Sequence, residues 1–236
     1  SPAVATSYSY IGQIYFAQND YSKALDYFKK SLKLDLSFFG ENHPSVASGY
    51  YNIGYVYFAQ GDYSKALEYF EEVLKIRLSV YGENHSRVAS VYNDIGEIYS
   101  VQGDDFKALD YFKKSLKIVL SVYGENHSQV SSIYDHIGEI YFAQKDYSKA
   151  LYYFEESLKI RLSLFGENHP EVALSYYSIG SLYIIQGDKS KALNYYEKSL
   201  KIRLSVYGEN HPLTKEIMDL INVANSKVLQ SPETTK

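Results

Sequence analysis

Apolar positions along this chain recur at helical spacing. From Pro44 to about Gln60, the residues Val46, Tyr50, Ile53, Gly54 and Tyr57 fall in one narrow arc when turned at ~100° per residue, the signature of a helix facing a core. From about Tyr63 to Ser79, Ala66, Leu67, Phe70, Val73, Leu74 and Leu78 share a face in the same way. No stretch alternates with a period of two, so the pattern predicts an all-helical chain.

This pair of helical patterns is then copied. Ile-Gly recurs at Ile11, Ile53, Ile95, Ile137 and Ile179, and Gly-Glu-Asn-His recurs from Gly40, Gly82, Gly124, Gly166 and Gly208, both in steps of 42 residues. A fixed period of this size marks a stacked repeat protein, each copy burying its apolar surface against the next. The expected units are 1–43, 44–85, 86–127, 128–169 and 170–211. Beyond them Ile221 keeps register, but the glycine position becomes Asn222 and no second helix pattern follows. Residues 212–230 are therefore expected to form a C-terminal capping helix, and 231–236 a flexible tail.

The helix ends carry their own signals. Pro44, Pro170 and Pro212 suit the first helical position, whose N–H has no intrahelical partner. Where proline is missing, Ser86 and Ser128 are the expected N-caps. Between the two helices, Gln60-Gly61-Asp62 supplies a left-handed residue and then a capping carboxylate. Asn19-Asp20, Gly103-Asp104, Lys145-Asp146 and Gly187-Asp188 are its equivalents, with Lys145 the strained member. Glycine inside a helix costs roughly 1 kcal/mol against alanine. Its recurrence at Gly12, Gly54, Gly96, Gly138 and Gly180 predicts close helix approach, with Ala24, Ala66, Ala108, Ala150 and Ala192 as the small residues opposite.

These residues resemble the tetratricopeptide repeat, whose pattern of a large aromatic, Leu-Gly, Tyr, Ala and Phe is matched by Tyr50, Ile53-Gly54, Tyr57, Ala66 and Phe70 and by their counterparts. The usual unit is about 34 residues. The longer unit here, with its Gly-Glu-Asn-His-Pro-x-Val-Ala motif, is similar to the repeats of kinesin light chains and nephrocystin-3-like proteins. The resemblance implies a right-handed α-solenoid of five helical hairpins whose first helices line a concave groove for peptides or partner helices.

Composition narrows the classes of function. Twenty-seven Tyr and no Trp suit helix packing in which a ring is buried and its hydroxyl reaches a partner. A net charge of -4 gives no electrostatic reason to expect nucleic acid or an anionic membrane as partner. With no cysteine there is no disulfide framework or thiolate chemistry. No apolar run reaches the ~18 residues of a membrane span, and the chain reads as a cytoplasmic segment.

His43, His85, His127, His169 and His211 invite a metal reading that geometry rejects. Zinc ligands lie ~2 Å from one ion, whereas stacked helices are separated by ~8–10 Å. A loop and capping role is expected instead, and His136 has no second ligand at metal spacing. No nucleophile elbow, phosphate loop or paired-carboxylate motif is present, so neither catalysis nor a cofactor is expected.

The face of the first helices opposite the core arc changes from copy to copy. Its candidate binding residues are Tyr51, Tyr55, Phe58, Asn93, Glu97, Asp135, Glu139, Phe142, Tyr177 and Ser181. Exposed aromatic residues there favour a recognition surface. This first-helix set contains no Lys or Arg, so a clamp for an acidic C-terminus is not expected. The acidic middle suggests a peptide with Lys or Arg near its centre and apolar anchors on either side, with Asn93 bonding its backbone. The expected function is a monomeric, non-enzymatic interaction scaffold. A module that self-associates through exposed repeat ends, and a regulatory segment of a larger multidomain protein, are the alternatives.

Overall fold

The computed structural model describes residues 1–226, and among them eleven α-helices and no strand are found. In chain order these are α1 (Pro2–Ala17), α2 (Tyr21–Phe39), α3 (Pro44–Ala59), α4 (Tyr63–Tyr81), α5 (Ser86–Val101), α6 (Asp105–Tyr123), α7 (Ser128–Ala143), α8 (Tyr147–Phe165), α9 (Pro170–Ile185), α10 (Lys189–Tyr207) and α11 (Pro212–Ser226). They form two compact units, one from Ser1 to Val122 and one from Tyr123 onward. In each unit consecutive helices pack as antiparallel pairs in an α-solenoid. The expected tail 231–236, and the expected extension of the last helix to residue 230, lie outside the described residues.

The core of the first unit is built from the predicted arcs. Val46, Ile53 and Val56 of α3 meet Ala66, Phe70 and Val73 of α4, with Ala24 and Phe28 before them and Val91, Ile95 and Ile98 after them. In the second unit Ala150 and Phe154 pack with Val172, Ile179 and Leu182 and with Ala192 and Ile202. Buried serines add a polar link at the same register: the hydroxyls of Ser31, Ser115 and Ser199 donate to the carbonyls of Ala5, Ala89 and Ala173 at 2.7 to 2.8 Å. A buried hydroxyl needs such a partner to offset its desolvation.

The helix glycines are indeed at close contacts, but the nearest groups are aromatic side chains, and the expected alanine joins them at Gly180, where the Ala192 carbonyl oxygen is 3.3 Å from an added Cβ. A Cβ on Gly12, Gly138 or Gly180 would lie 2.7 Å from the ring of Phe28, Phe154 or Tyr196. The larger group faces the glycine because the ring, one turn beyond each alanine, is what fills the space between the two helices.

Turn geometry follows the predicted chemistry. Gly61 has φ +77° and Asp62 then accepts from the N–H of Lys65. Asn19 and Lys145 hold the same left-handed conformation without being glycine, at φ 60° and 62°. Around this turn a tyrosine near the end of the first helix stacks on one from the second helix at 5.6 to 5.7 Å, as in Tyr15–Tyr27, Tyr57–Tyr69 and Tyr183–Tyr195. The lysine that follows the cap lies over the first ring, with Lys65 Nζ 5.1 Å from the Tyr57 centroid. This repeated stack and cation–π contact accounts for much of the tyrosine content.

At the other end of each pair the N-cap differs from the expectation. His85 and His127 are the caps, and Ser86 and Ser128 are already the first helical residues. Nδ1 of His43, His85, His127, His169 and His211 accepts a hydrogen bond from the N–H two residues on, at 3.1 to 3.2 Å. Each imidazole also stacks on the aromatic residue four positions earlier, at 4.1 to 4.6 Å. The ring supplies a cap acceptor and a packing surface together, which the smaller serine cannot do. Among the described residues no group of His, Cys, Asp or Glu is arranged to hold a metal ion.

Candidate peptide-binding face

In the first unit the candidate residues come from α3 and α5. Spacings of three and four place Tyr51, Tyr55 and Phe58 along one side of α3. The Tyr51 and Tyr55 rings lie nearly parallel at 6.2 Å, Phe58 is 6.1 Å from Tyr55, and Phe16 from α1 reaches Tyr55 at 5.5 Å. Tyr55 is 43% exposed, while Tyr51 and Phe58 are half-buried. The result is an aromatic strip running from α1 to α3.

Tyr51 is held from below by Arg77 of α4, whose guanidinium carbon is 5.4 Å from the ring centroid. Arg77 Nη1 donates to the carbonyl of Arg87 at 2.7 Å and to the Ser90 hydroxyl at 2.9 Å. One arginine thus joins α4 to α5 beneath a ring of α3.

Asp94, next to Asn93, was not among the expected residues, because on an isolated helix wheel it falls between the core arc and the variable face. Its Oδ2 is buried without a hydrogen-bond partner among the described residues. Burial first, then the charge of Glu97, push Asp94 up to about 7, against the pull of Tyr51 and Arg77. The Tyr51 hydroxyl is raised as well, by burial and then by Asp94. Asn93 Nδ2 donates to Glu97 Oε1 at 2.7 Å, so one donor expected to meet a peptide backbone already serves a neighbour. Burial raises Glu97, and this bond opposes the shift.

In the second unit the candidates are on α7 and α9. Asp135 pairs with Arg161 Nη2 at 2.7 Å, and the same nitrogen meets Glu171 at 2.9 Å while Nη1 donates to the Ser175 hydroxyl at 2.8 Å. Burial raises Asp135, and Arg161 is the main opposing influence. Glu139 is exposed one turn on. Phe142 packs on Tyr147 at 5.9 Å. Tyr177 lies over Arg203, 5.0 Å from centroid to guanidinium carbon, and its hydroxyl donates to Glu216 at 3.2 Å. Ser181 shares a 3.2 Å hydrogen bond with the Tyr196 hydroxyl.

The candidates divide between the units, with Tyr51, Tyr55, Phe58, Asn93 and Glu97 in the first and Asp135, Glu139, Phe142, Tyr177 and Ser181 in the second; of these, Tyr51, Tyr55 and Phe58 form one ring cluster and Asn93 bonds Glu97, whereas the contacts described for the second set are to other residues. The second helices add Arg77, Arg161 and Arg203 to the underside of this face, and Arg161 matches the charge of Asp135 within the chain. The signal in the sequence was the return of arginine at the same repeat position.

A family model for the tetratricopeptide repeat matches residues 3–79, 45–121, 87–163 and 129–205, and the chain belongs to that family. Among solved structures it is similar to BtubC (BKLC) from P. vanneervenii, with TM-score 0.78 and 24% identity over 89% of this chain and 84% of that one. A putative kinesin light chain from Podosopora anserina with nearly identical TPR-like repeats gives TM-score 0.73 and 16% identity, covering 88% of this chain and 98% of that one. A Rap protein in complex with Competence and Sporulation Factor gives TM-score 0.65 and 18% identity, covering 92% of this chain and 64% of that one. No curated protein matches the sequence. Among the described residues no helix is long and apolar enough to cross a membrane.

Proposed function

We propose that this chain is a non-enzymatic protein-interaction scaffold that binds an extended or helical peptide on the variable face of its first helices. In this reading each 42-residue unit is one hairpin and α11 caps the stack. The observation that carries the proposal is the strip of Phe16, Tyr51, Tyr55 and Phe58, an aromatic surface packed on itself yet open at Tyr55. Such rings act as anchors because they add large contact area for little lost rotamer freedom. Glu97 in the first unit and Glu139 in the second each supply negative charge that would draw a basic residue of the peptide. That the Rap relative carries a bound factor on a similar fold supports a binding role.

A peptide array with variant proteins as controls tests the reading. Peptides that combine apolar residues with a central Lys or Arg are expected to bind. Tyr55→Ala and the pair Glu97→Lys with Glu139→Lys should each weaken them by about tenfold or more, the usual scale of a lost interface anchor. Equal affinity in wild type and both variants would remove this face from consideration.

A further inference from the structure

One position breaks the arginine pattern in a way that leaves a space. Stepping back along α4, α8 and α10, the counterpart of Arg77, Arg161 and Arg203 in α2 is Asp35. Where Arg77 fills the gap between α3 and α5, the corresponding gap between α1 and α3 is a cavity of about 280 Å³. Asp35, almost fully buried, lines it together with Ser9, Ser45 and Ser48. These stand where Tyr51, Arg87 and Ser90 surround the Arg77 guanidinium. Phe39 and Tyr10 stand at the rim, 40% and 63% exposed.

The cavity carries a built-in negative group. Asp35 is only 8% exposed and is part of the cavity lining. Burial pushes the Asp35 carboxyl up, and His43, stacked on Phe39, opposes that shift. A carboxylate that lines a narrow cavity loses part of its hydration, and a guanidinium is the group that meets both of its oxygens at once. The cavity also falls just below the ~300 Å³ at which small-molecule pockets begin. It is the size for a single long side chain.

We propose that this cavity is a socket for an arginine side chain of the bound partner, held by the Asp35 carboxylate and the hydroxyls of Ser9 and Ser48. The partner's guanidinium takes the place that the chain's own arginines take elsewhere, with the charge relation reversed so that the counter-charge is built into the lining. The proposal rests on the peptide-binding reading and adds to it one defined subsite at α1–α3.

The test uses N-acetyl-arginine amide alone, so it does not depend on finding the peptide. Titrated into the whole chain and followed by amide NMR shifts, it should give saturable changes at Ser9 and from Ser45 to Gly49. N-acetyl-norleucine amide should give none. Asp35→Asn should weaken the effect by about tenfold, the scale of losing a hydrogen bond to a charged group. Asp35→Arg should abolish it while leaving the fold intact, because it restores the residue that α4, α8 and α10 carry at this position. Shifts that are absent, or equal in wild type and Asp35→Asn, would overturn the socket. Should the probe bind as expected while the peptide array stays blank, the peptide reading fails and the socket stands; the reverse result removes only the socket.

Discussion

At the scale of single residues, the most consequential group is Asp94, a carboxylate placed among Tyr51 of α3, Arg77 of α4 and Glu97 of its own helix. Arg77 faces it but does not compensate for burial, since its guanidinium is already bonded to Arg87 and Ser90. The pKa in the folded chain is therefore about 7 against an ordinary 3.8, so the folded state holds the proton more tightly than the unfolded one. The contribution of this group to stability is fully present below pH ~4 and is lost as pH rises through ~7. Asp94→Asn keeps the size and polarity of the side chain and removes the charge. It should raise unfolding free energy at pH 8 by about 1–3 kcal/mol and leave it nearly unchanged at pH 4, a difference that urea melts at the two pH values would measure. Equal shifts at both pH values would mean that Asp94 does not titrate in this window. Asp94 was hidden in the sequence because its environment is made by three helices, and a single helix wheel contains only one of them.

At the scale of the element, each hairpin is fixed by its two ends. The turn after the first helix needs one left-handed residue followed by a capping carboxylate, a requirement plain in Gly61-Asp62 and met with strain at Lys145-Asp146. A side chain in this conformation costs on the order of 1 kcal/mol relative to glycine, and asparagine bears it better than lysine. Lys145→Gly should therefore raise stability by about 0.5–1 kcal/mol, and Asn19→Gly by less, with unchanged urea m-values. A loss of stability in Lys145→Gly would show that the lysine side chain contributes more than its backbone costs. This turn was legible because its chemistry is local: three consecutive residues define it. The opposite end was less so. Serine is the better-known cap, but capping by His85 and His127 depends on a stack with Tyr81 and Tyr123 four residues back, which a list of cap preferences does not include. The glycine contacts were half legible for the same reason. Close approach follows from the residue type, whereas the identity of the facing ring depends on how two helices meet.

At the scale of the molecule, the period and the helical class could be read directly, because 42-residue copies repeat the same arcs and the same punctuation. What could not be read was the reach of the second helices. Arg161, only 5% exposed, joins α8 to Asp135 of α7 and to Glu171 and Ser175 of α9, so one side chain couples three consecutive helices. In a stack whose units touch only their neighbours, the effect of breaking such a link should fade with distance along the chain. Arg161→Ala leaves a buried carboxylate unpaired, a change that costs about 3–5 kcal/mol in comparable pairs. Amide exchange should then show lost protection in α7, α8 and α9, with α1 and α2 nearly unaffected, and Asp135→Asn added to Arg161→Ala should recover part of it. Uniform loss across all helices would mean that the chain opens as one cooperative body. In that case its recognition face would respond as a whole to a change at any hairpin, and a partner held at α1–α3 would alter stability as far away as α10.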